Sequence, residues 1–172
     1  MGLCYRLRQG FGRLGAQLRP GKLELHWARE HLPEPYWRLF EAMPRGDQWH
    51  GLCVAQRLAA QGWQDADLLA AALLHDVGKA NSGLTLAHRT LIILLRWLRV
   101  GWFERLTTSD QGWHRPFYAH RHHAALGAEL LAVAEASPEI IALVKAHEGH
   151  GEAVSPGLAA QLEALIAADD AC

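Results

Sequence analysis

Leu73-Leu74-His75-Asp76-Val77-Gly78-Lys79 constrains this chain more than any other segment. An apolar run carries an imidazole and a carboxylate side by side and then meets a glycine. Adjacent residues on a helix point about 100° apart, so the two polar groups cannot both face a packed core. At a helix end, two such neighbours can instead grip one ion, or two ions bridged by the carboxylate. The dipeptide alone is unspecific, and its weight comes from similar residues elsewhere. His50 stands in Asp47-Gln48-Trp49-His50-Gly51-Leu52-Cys53-Val54-Ala55. His123 opens His123-Ala124-Ala125-Leu126-Gly127-Ala128-Glu129-Leu130-Leu131, His147 ends Ile140-Ile141-Ala142-Leu143-Val144-Lys145-Ala146-His147, and Asp169 closes Leu165-Ile166-Ala167-Ala168-Asp169.

Apolar residues recur at helical spacing along the chain, and no window alternates β-branched residues, so the expected class is all-α. Residues 1–44 form a helical extension, broken at Pro33 and Pro35 before a short helix through Trp37, Leu39 and Phe40. Asp47 is the expected N-cap of a helix with His50 in its first turn, running to about Gln61 and ended by Gly62. Asp65 or Asp67 caps the helix that leads to His75-Asp76, and Gly78 is its expected stop. Residues 81–118 read as a helical insertion in a domain spanning 45–172. The insertion holds an amphipathic stretch from Leu84 to Trp102, interrupted at Gly101, and a polar loop from Thr107 to Gly112. A helix over His120–Ala136 would turn Leu126, Leu130, Leu131 and Val133 inward. Ser137-Pro138 and Ser155-Pro156 open the last two helices.

A chain of 172 residues that is 50% apolar can bury one domain core. Its net charge of −1 makes no demand for nucleic acid or an anionic membrane. Arg6, Arg8, Arg13, Arg19 and Lys22 precede the first acidic residue, and Arg89, Arg96, Arg99 and Arg105 form a second basic run. Both read as solvated helix faces, with peripheral membrane contact as the lesser alternative. The most apolar window, residues 84–103, contains His88 and three arginines, whereas a spanning helix needs about 20 mostly uncharged residues. No secretory signal is evident in the first residues. Cys4, Cys53 and Cys172 are odd in number and irregularly spaced, so no disulfide framework is expected. Cys53 reads as a small buried hydrophobe, which suits a reducing cytoplasm.

The ordered set His50, His75-Asp76, His123, His147 and Asp169 resembles the HD-domain superfamily of metal-dependent phosphohydrolases, over roughly residues 47 to 171. Within it the chain looks like the small stand-alone bacterial proteins with a His-Asp-x-Gly (HDIG-type) signature. The resemblance implies that His50, His75, Asp76 and Asp169 hold one divalent ion (Mn, Fe, Co, Ni or Mg). It further implies that His123 and His147 hold a second ion, with Asp76 bridging. Lys79 would then assist a phosphate, and Asp76 and Lys79 would be the catalytic pair. His120 and His122 adjoin His123, His150 follows His147, and Asp170 adjoins Asp169, so each is an alternative ligand. Trp113, Arg115, Phe117 and Tyr118 suggest an aromatic lid, with Arg115 able to meet a phosphate. His26, His31, His88 and His114 read as structural or exposed.

Departures narrow the expectation. The Gly-Tyr-Pro loop of cyclic-di-GMP hydrolases is missing after His147-Glu148-Gly149-His150, and the Glu-Asp pair of alarmone hydrolases is replaced by Val77-Gly78-Lys79-Ala80. The expected activity is therefore hydrolysis of a nucleotide or another small phosphate ester. Two alternatives share the residues: a regulatory domain without catalysis, and a di-iron oxygenase on the same ligand set.

Overall fold

Residues 66–74, Ala-Asp-Leu-Leu-Ala-Ala-Ala-Leu-Leu, form a helix that must be covered on nearly every side, because almost nothing in it is polar. A computed structural model shows how the rest of the chain covers it, and describes residues 20–80, 82, 83, 85–98, 105–149 and 154–172. Among these the regular structure is helical, with no strand. In chain order the helices are α1 (Lys22–His31), α2 (Glu34–Ala42), α3 (Arg45–Ala60), α4 (Ala66–Leu74), α5 (Leu86–Leu98), α6 (Arg115–Val133), α7 (Pro138–Ala146) and α8 (Ala159–Ala171). Single 3-10 turns lie at Val77–Lys79, Gly112–His114 and Pro156–Leu158.

Every residue of α4 from Leu68 to Leu74 is buried. Around it pack α1, α2, α3, α7 and α8. Leu32, Phe40, Leu52, Leu58, Leu131, Leu143 and Leu165 join it in one apolar cluster. Full burial of one such leucine stabilises by about 1.5–3 kcal/mol, so α4 with its sheath dominates the folding energy. Residues 22–43, expected as an extension, place Ala28, Leu32, Phe40 and Met43 in that same cluster. The described part of the insertion contributes differently. Ile92 of α5 packs on Phe117 of α6 in a separate small cluster, while Leu91, Ile93 and Leu94 stay exposed.

Local chemistry explains where the elements start, and corrects several expectations. Asp65 is the cap of α4: its carboxylate accepts from the Leu68 amide at 2.9 Å. Ser137 caps α7 in the same way through Ile140, with Pro138 at the first helical position. Asp47 is not an N-cap. The helix begins after Pro44, which puts Asp47 buried in its first turn and His50 in its second. The next long helix begins at Arg115 rather than His120, so residues 115–118 belong to α6 and not to an insertion loop. Its inward stripe is Phe117, His123, Ala124, Gly127, Ala128 and Leu131. That stripe leaves Val133 on the far face and Leu130 at its edge, both exposed, against the inward placement expected.

Gly78 does not stop α4, which ends at Leu74 and passes through His75 and Asp76 into the 3-10 turn. The glycine is there for proximity. A Cβ on Gly78 would lie 2.0 Å from the His123 carbonyl oxygen and 2.7 Å from the Gly127 nitrogen. Cys53 is likewise more than a small apolar filler. It forms a disulfide with Cys172, joining α3 to the end of α8 across 119 residues. Irregular cysteine spacing hides this pair, since only the packing of α8 along α3 brings the two together. In the chain-entropy account, closing a loop of about 100 residues is worth about 4.7 kcal/mol. No described helix is long and apolar enough to cross a membrane.

The Gly78 contact is with backbone, which cannot swing aside. Gly78→Ala should lower the unfolding free energy by about 3 kcal/mol or more in urea denaturation. Gly46→Ala, where nothing lies within 4 Å of the added carbon, should leave stability unchanged or raise it by up to about 1 kcal/mol.

Candidate metal centre

Four buried histidines and two carboxylates meet at one side of the bundle. His75 is the C-cap of α4 and Asp76 the next residue. His147 is the C-cap of α7. His123 comes from the middle of α6, drawn to Asp76 by the Gly78–Gly127 approach. His50 comes from α3 and Asp169 from α8.

Three of these imidazoles are held in one way. His75 Nδ1 lies 2.9 Å from the Ala72 carbonyl, His123 Nδ1 2.9 Å from the His120 carbonyl, and His147 Nδ1 2.6 Å from the Val144 carbonyl. A carbonyl only accepts, so each Nδ1 carries the proton and donates it, leaving Nε2 as a bare lone pair in the neutral ring. At α4 and α7 the acceptor is a last-turn carbonyl that lacks a partner within its helix. The histidine thus closes the helix end while presenting its other nitrogen.

Those nitrogens converge. His123 Nε2 lies 3.2 Å from His147 Nε2 and 3.2 Å from Asp76 Oδ1. His75 Nε2 lies 3.7 Å from Asp76 Oδ1 and 3.6 Å from Asp169 Oδ1, and it is buried without a hydrogen-bond partner. His50 Nε2 lies 2.7 Å from Asp169 Oδ1, and its Nδ1 is also buried and unpartnered. Two subsets bring one ligand atom per residue within 4.8 Å of one another: His50, His75 and Asp76, and Asp76, His123 and His147. Asp76 belongs to both, and Asp169 borders the first.

Lone pair facing lone pair at 3.2 Å is repulsive unless a cation intervenes. A proton is disfavoured in that role. Burial, with His75 and His123 beside it, lowers the His147 pKa from 6.5 to about 3. Burial also lowers His75, although Asp76 and Asp169 oppose it. Burial would raise the two carboxylates, but their neighbours outweigh it. The ammonium of Lys79 holds Asp76 well below the usual carboxylate range. The hydrogen bond from His50 with nearby His75 does the same for Asp169. Ionised carboxylates among neutral imidazoles are a ligand set for a divalent metal. The centre also sits at the C-terminal ends of α4 and α7, whose dipoles favour positive charge. The residues fit such an ion.

Of the expected site residues, His50, His75, Asp76, His123, His147 and Asp169 are brought together. Lys79 joins them, buried, with Nζ 2.5 Å from Asp76 Oδ1. Among the neighbouring alternatives, His122 is half-buried against the Tyr118 ring, Asp170 is exposed, and His150 lies outside the described residues. Arg115 is exposed, about 12 Å along α6 from His123 at 1.5 Å per residue. Phe117 is buried under α5, and Trp113 is 64% exposed. His26, His31, His88 and His114 make local contacts with Glu30, the Trp27 carbonyl, Thr85 and the Leu106 carbonyl. Sequence reasoning missed Glu148, whose Oε1 approaches His123 Nδ1 to 3.9 Å. A carboxylate next to a ligand histidine was its available signal.

No family model, curated protein or solved structure matches the chain.

The buried neutral imidazoles give the metal-free protein a defined pH response. His75 and His147 bind protons less readily folded than unfolded, so their contribution is complete above about pH 6.5 and is lost as pH falls. For His147 the loss runs from 6.5 down to about 3. Asp76 and Asp169, lowered on folding, lose stability in the same direction at lower pH. In chelator-treated protein the urea midpoint should fall steadily between pH 7 and pH 4.5. A flat midpoint would contradict neutral burial of these rings.

Proposed function

We propose that the chain is a divalent-metal phosphohydrolase of HD type, acting on a nucleotide or another small phosphate ester. The observation that carries the proposal is the convergence of the His75, His123 and His147 Nε2 atoms on Asp76 with every Nδ1 already committed to a carbonyl. His50, His75, Asp76 and Asp169 hold one ion, and Asp76, His123 and His147 hold a second. When bound, such ions supply a water of lowered pKa as nucleophile and neutralise charge growing on the phosphoryl oxygens.

The protein's own groups do the rest. The i−3 carbonyls fix the ring planes and the tautomer of three histidines, which keeps the ligand basic. His50 Nε2 and the Asp169 carboxylate stand 2.7 Å apart, so the two would serve together as ligands of the first ion. Lys79 keeps an ammonium buried at the centre, beside Asp76. A cation in that position complements an anionic substrate, which favours phosphate chemistry over oxygen chemistry at the same ligands. Its compact charge suits a phosphoryl oxygen.

Elemental analysis of protein purified without a metal-chelating tag should give two divalent ions per chain, together with metal-dependent hydrolysis in a panel of phosphate esters. Asp76→Ala should lose both ions and all hydrolysis. His123→Ala should keep one ion. Lys79→Met should keep both ions and lower kcat/KM about 10- to 100-fold, equivalent to about 1.4–2.8 kcal/mol of transition-state stabilisation. Failure to take up Mn, Co, Ni or Fe would overturn the proposal, as would two irons with oxygen consumption and no hydrolysis.

A further inference from the structure

The disulfide stands one helical turn from the metal centre on both of the elements it joins. His50 and Cys53 are three residues apart on α3, and Asp169 and Cys172 are three apart at the end of α8. The His50–Asp169 contact at 2.7 Å and the Cys53–Cys172 bond are therefore consecutive rungs between the same two helices. Arg57 adds a third, its guanidinium donating to the Ala171 carbonyl at 3.2 Å.

The two helices are anchored unequally. α3 has eight buried residues, whereas α8 has only Leu165 and Ala168. The helix that carries Asp169 is thus the less deeply buried of the two, and the covalent rung adds a constraint one turn from Asp169. His123 is placed by the Gly78–Gly127 approach, which does not involve α8, and His147 by the Ser137-capped helix α7, which packs on α4 and α6 more than on α8. Both cysteines are half-buried, so a reductant can reach the bond.

We infer that Cys53–Cys172 is a reversible thiol–disulfide site that sets the affinity of the His50–Asp169 half of the metal centre and leaves the His123–His147 half unaffected. The reductant is a dithiol. Its thiolate attacks one cysteine sulfur, breaking the S–S bond and forming a mixed disulfide. Its second sulfur then displaces that cysteine. Two electrons and two protons pass to the protein, giving two cysteine thiols, and the dithiol becomes a disulfide. The bond re-forms by the reverse exchange with an oxidised dithiol.

The inference rests on the metal reading above, and the test separates the two. Mn uptake is titrated with oxidised protein, with protein reduced by a water-soluble phosphine, and with the Cys53→Ala/Cys172→Ala double variant. Circular dichroism confirms retained helix in each form. Oxidised protein should bind two ions. Reduced protein and the double variant should bind one as tightly and the other about 10- to 100-fold more weakly, the range seen when support for a ligand is removed. Equal affinities in all three forms would overturn the inference. So would equal weakening of both ions, since the bond would then serve the fold at large. In metal-free protein the His50 imidazole NMR resonances should move on reduction while those of His147 stay in place. If oxidised protein takes up no metal, the phosphohydrolase reading fails, and the resonances alone decide: movement of His50 supports a redox-set contact, and its absence overturns it.

Discussion

Two imidazole nitrogens, on His123 and His147, face each other at 3.2 Å with their opposite nitrogens already donating to carbonyls. Neutral rings held in this way repel, and burial works against a proton between them. Such an arrangement in the interior, beside an ionised Asp76, is one that could hold a metal ion. Lys79 offsets Asp76, but His75 Nε2 and His50 Nδ1 are still buried without partners. Unsatisfied buried polar atoms cost about 1–3 kcal/mol each, a cost that a cation bound at this cluster would offset.

The scaffold makes this affordable by concentrating apolar burial next to the centre. The helix α4 is covered from Leu68 to Leu74 and delivers His75-Asp76 directly from its end. Helix ends are suited to the task because their last carbonyls lack intrahelical partners. Histidine at the C-cap fills one such carbonyl with Nδ1–H and turns Nε2 outward, and α4 and α7 both use it. Their dipoles add a partial negative charge from each helix, which suits a cation. His123 lacks this advantage, being mid-helix. Its position follows instead from two glycines, Gly78 and Gly127, that let the 3-10 turn and α6 touch through backbone.

The sequence made the clustered histidines and aspartates legible as candidate ligands because polar groups interrupt apolar helical runs there. Asp65 and Ser137 were legible for a similar local reason, as caps ahead of apolar runs. Other features depend on contacts between distant segments and had no local signature. Gly78 resembled a helix stop, whereas its requirement comes from the His123 carbonyl, 45 residues later in the chain. The inward side of α6 was misjudged at Leu130 and Val133 because that face is set by small residues fitting the turn, not by its largest apolar side chains. Cys53 and Cys172 gave no pattern at all, since their pairing is a consequence of helix packing. Asp47 illustrates the opposite error: a good capping residue is overruled when a proline three positions earlier already starts the helix.

The centre consists of two halves sharing Asp76, and different physics holds each. On the His123–His147 side the constraint is steric: backbone meets backbone at Gly78, a contact that cannot relax without separating the 3-10 turn from α6. On the His50–Asp169 side it is partly covalent, because α8 buries only two residues and is tied to α3 by Cys53–Cys172 and Arg57. A steric constraint persists as long as the fold does. A covalent one can be removed while the core around α4 stays intact, since the cluster there contains twenty-two buried residues and only Leu165 and Ala168 come from α8. The geometry of one half can therefore change without unfolding the other, which is the structural condition for two candidate metal sites that respond differently to one chemical change.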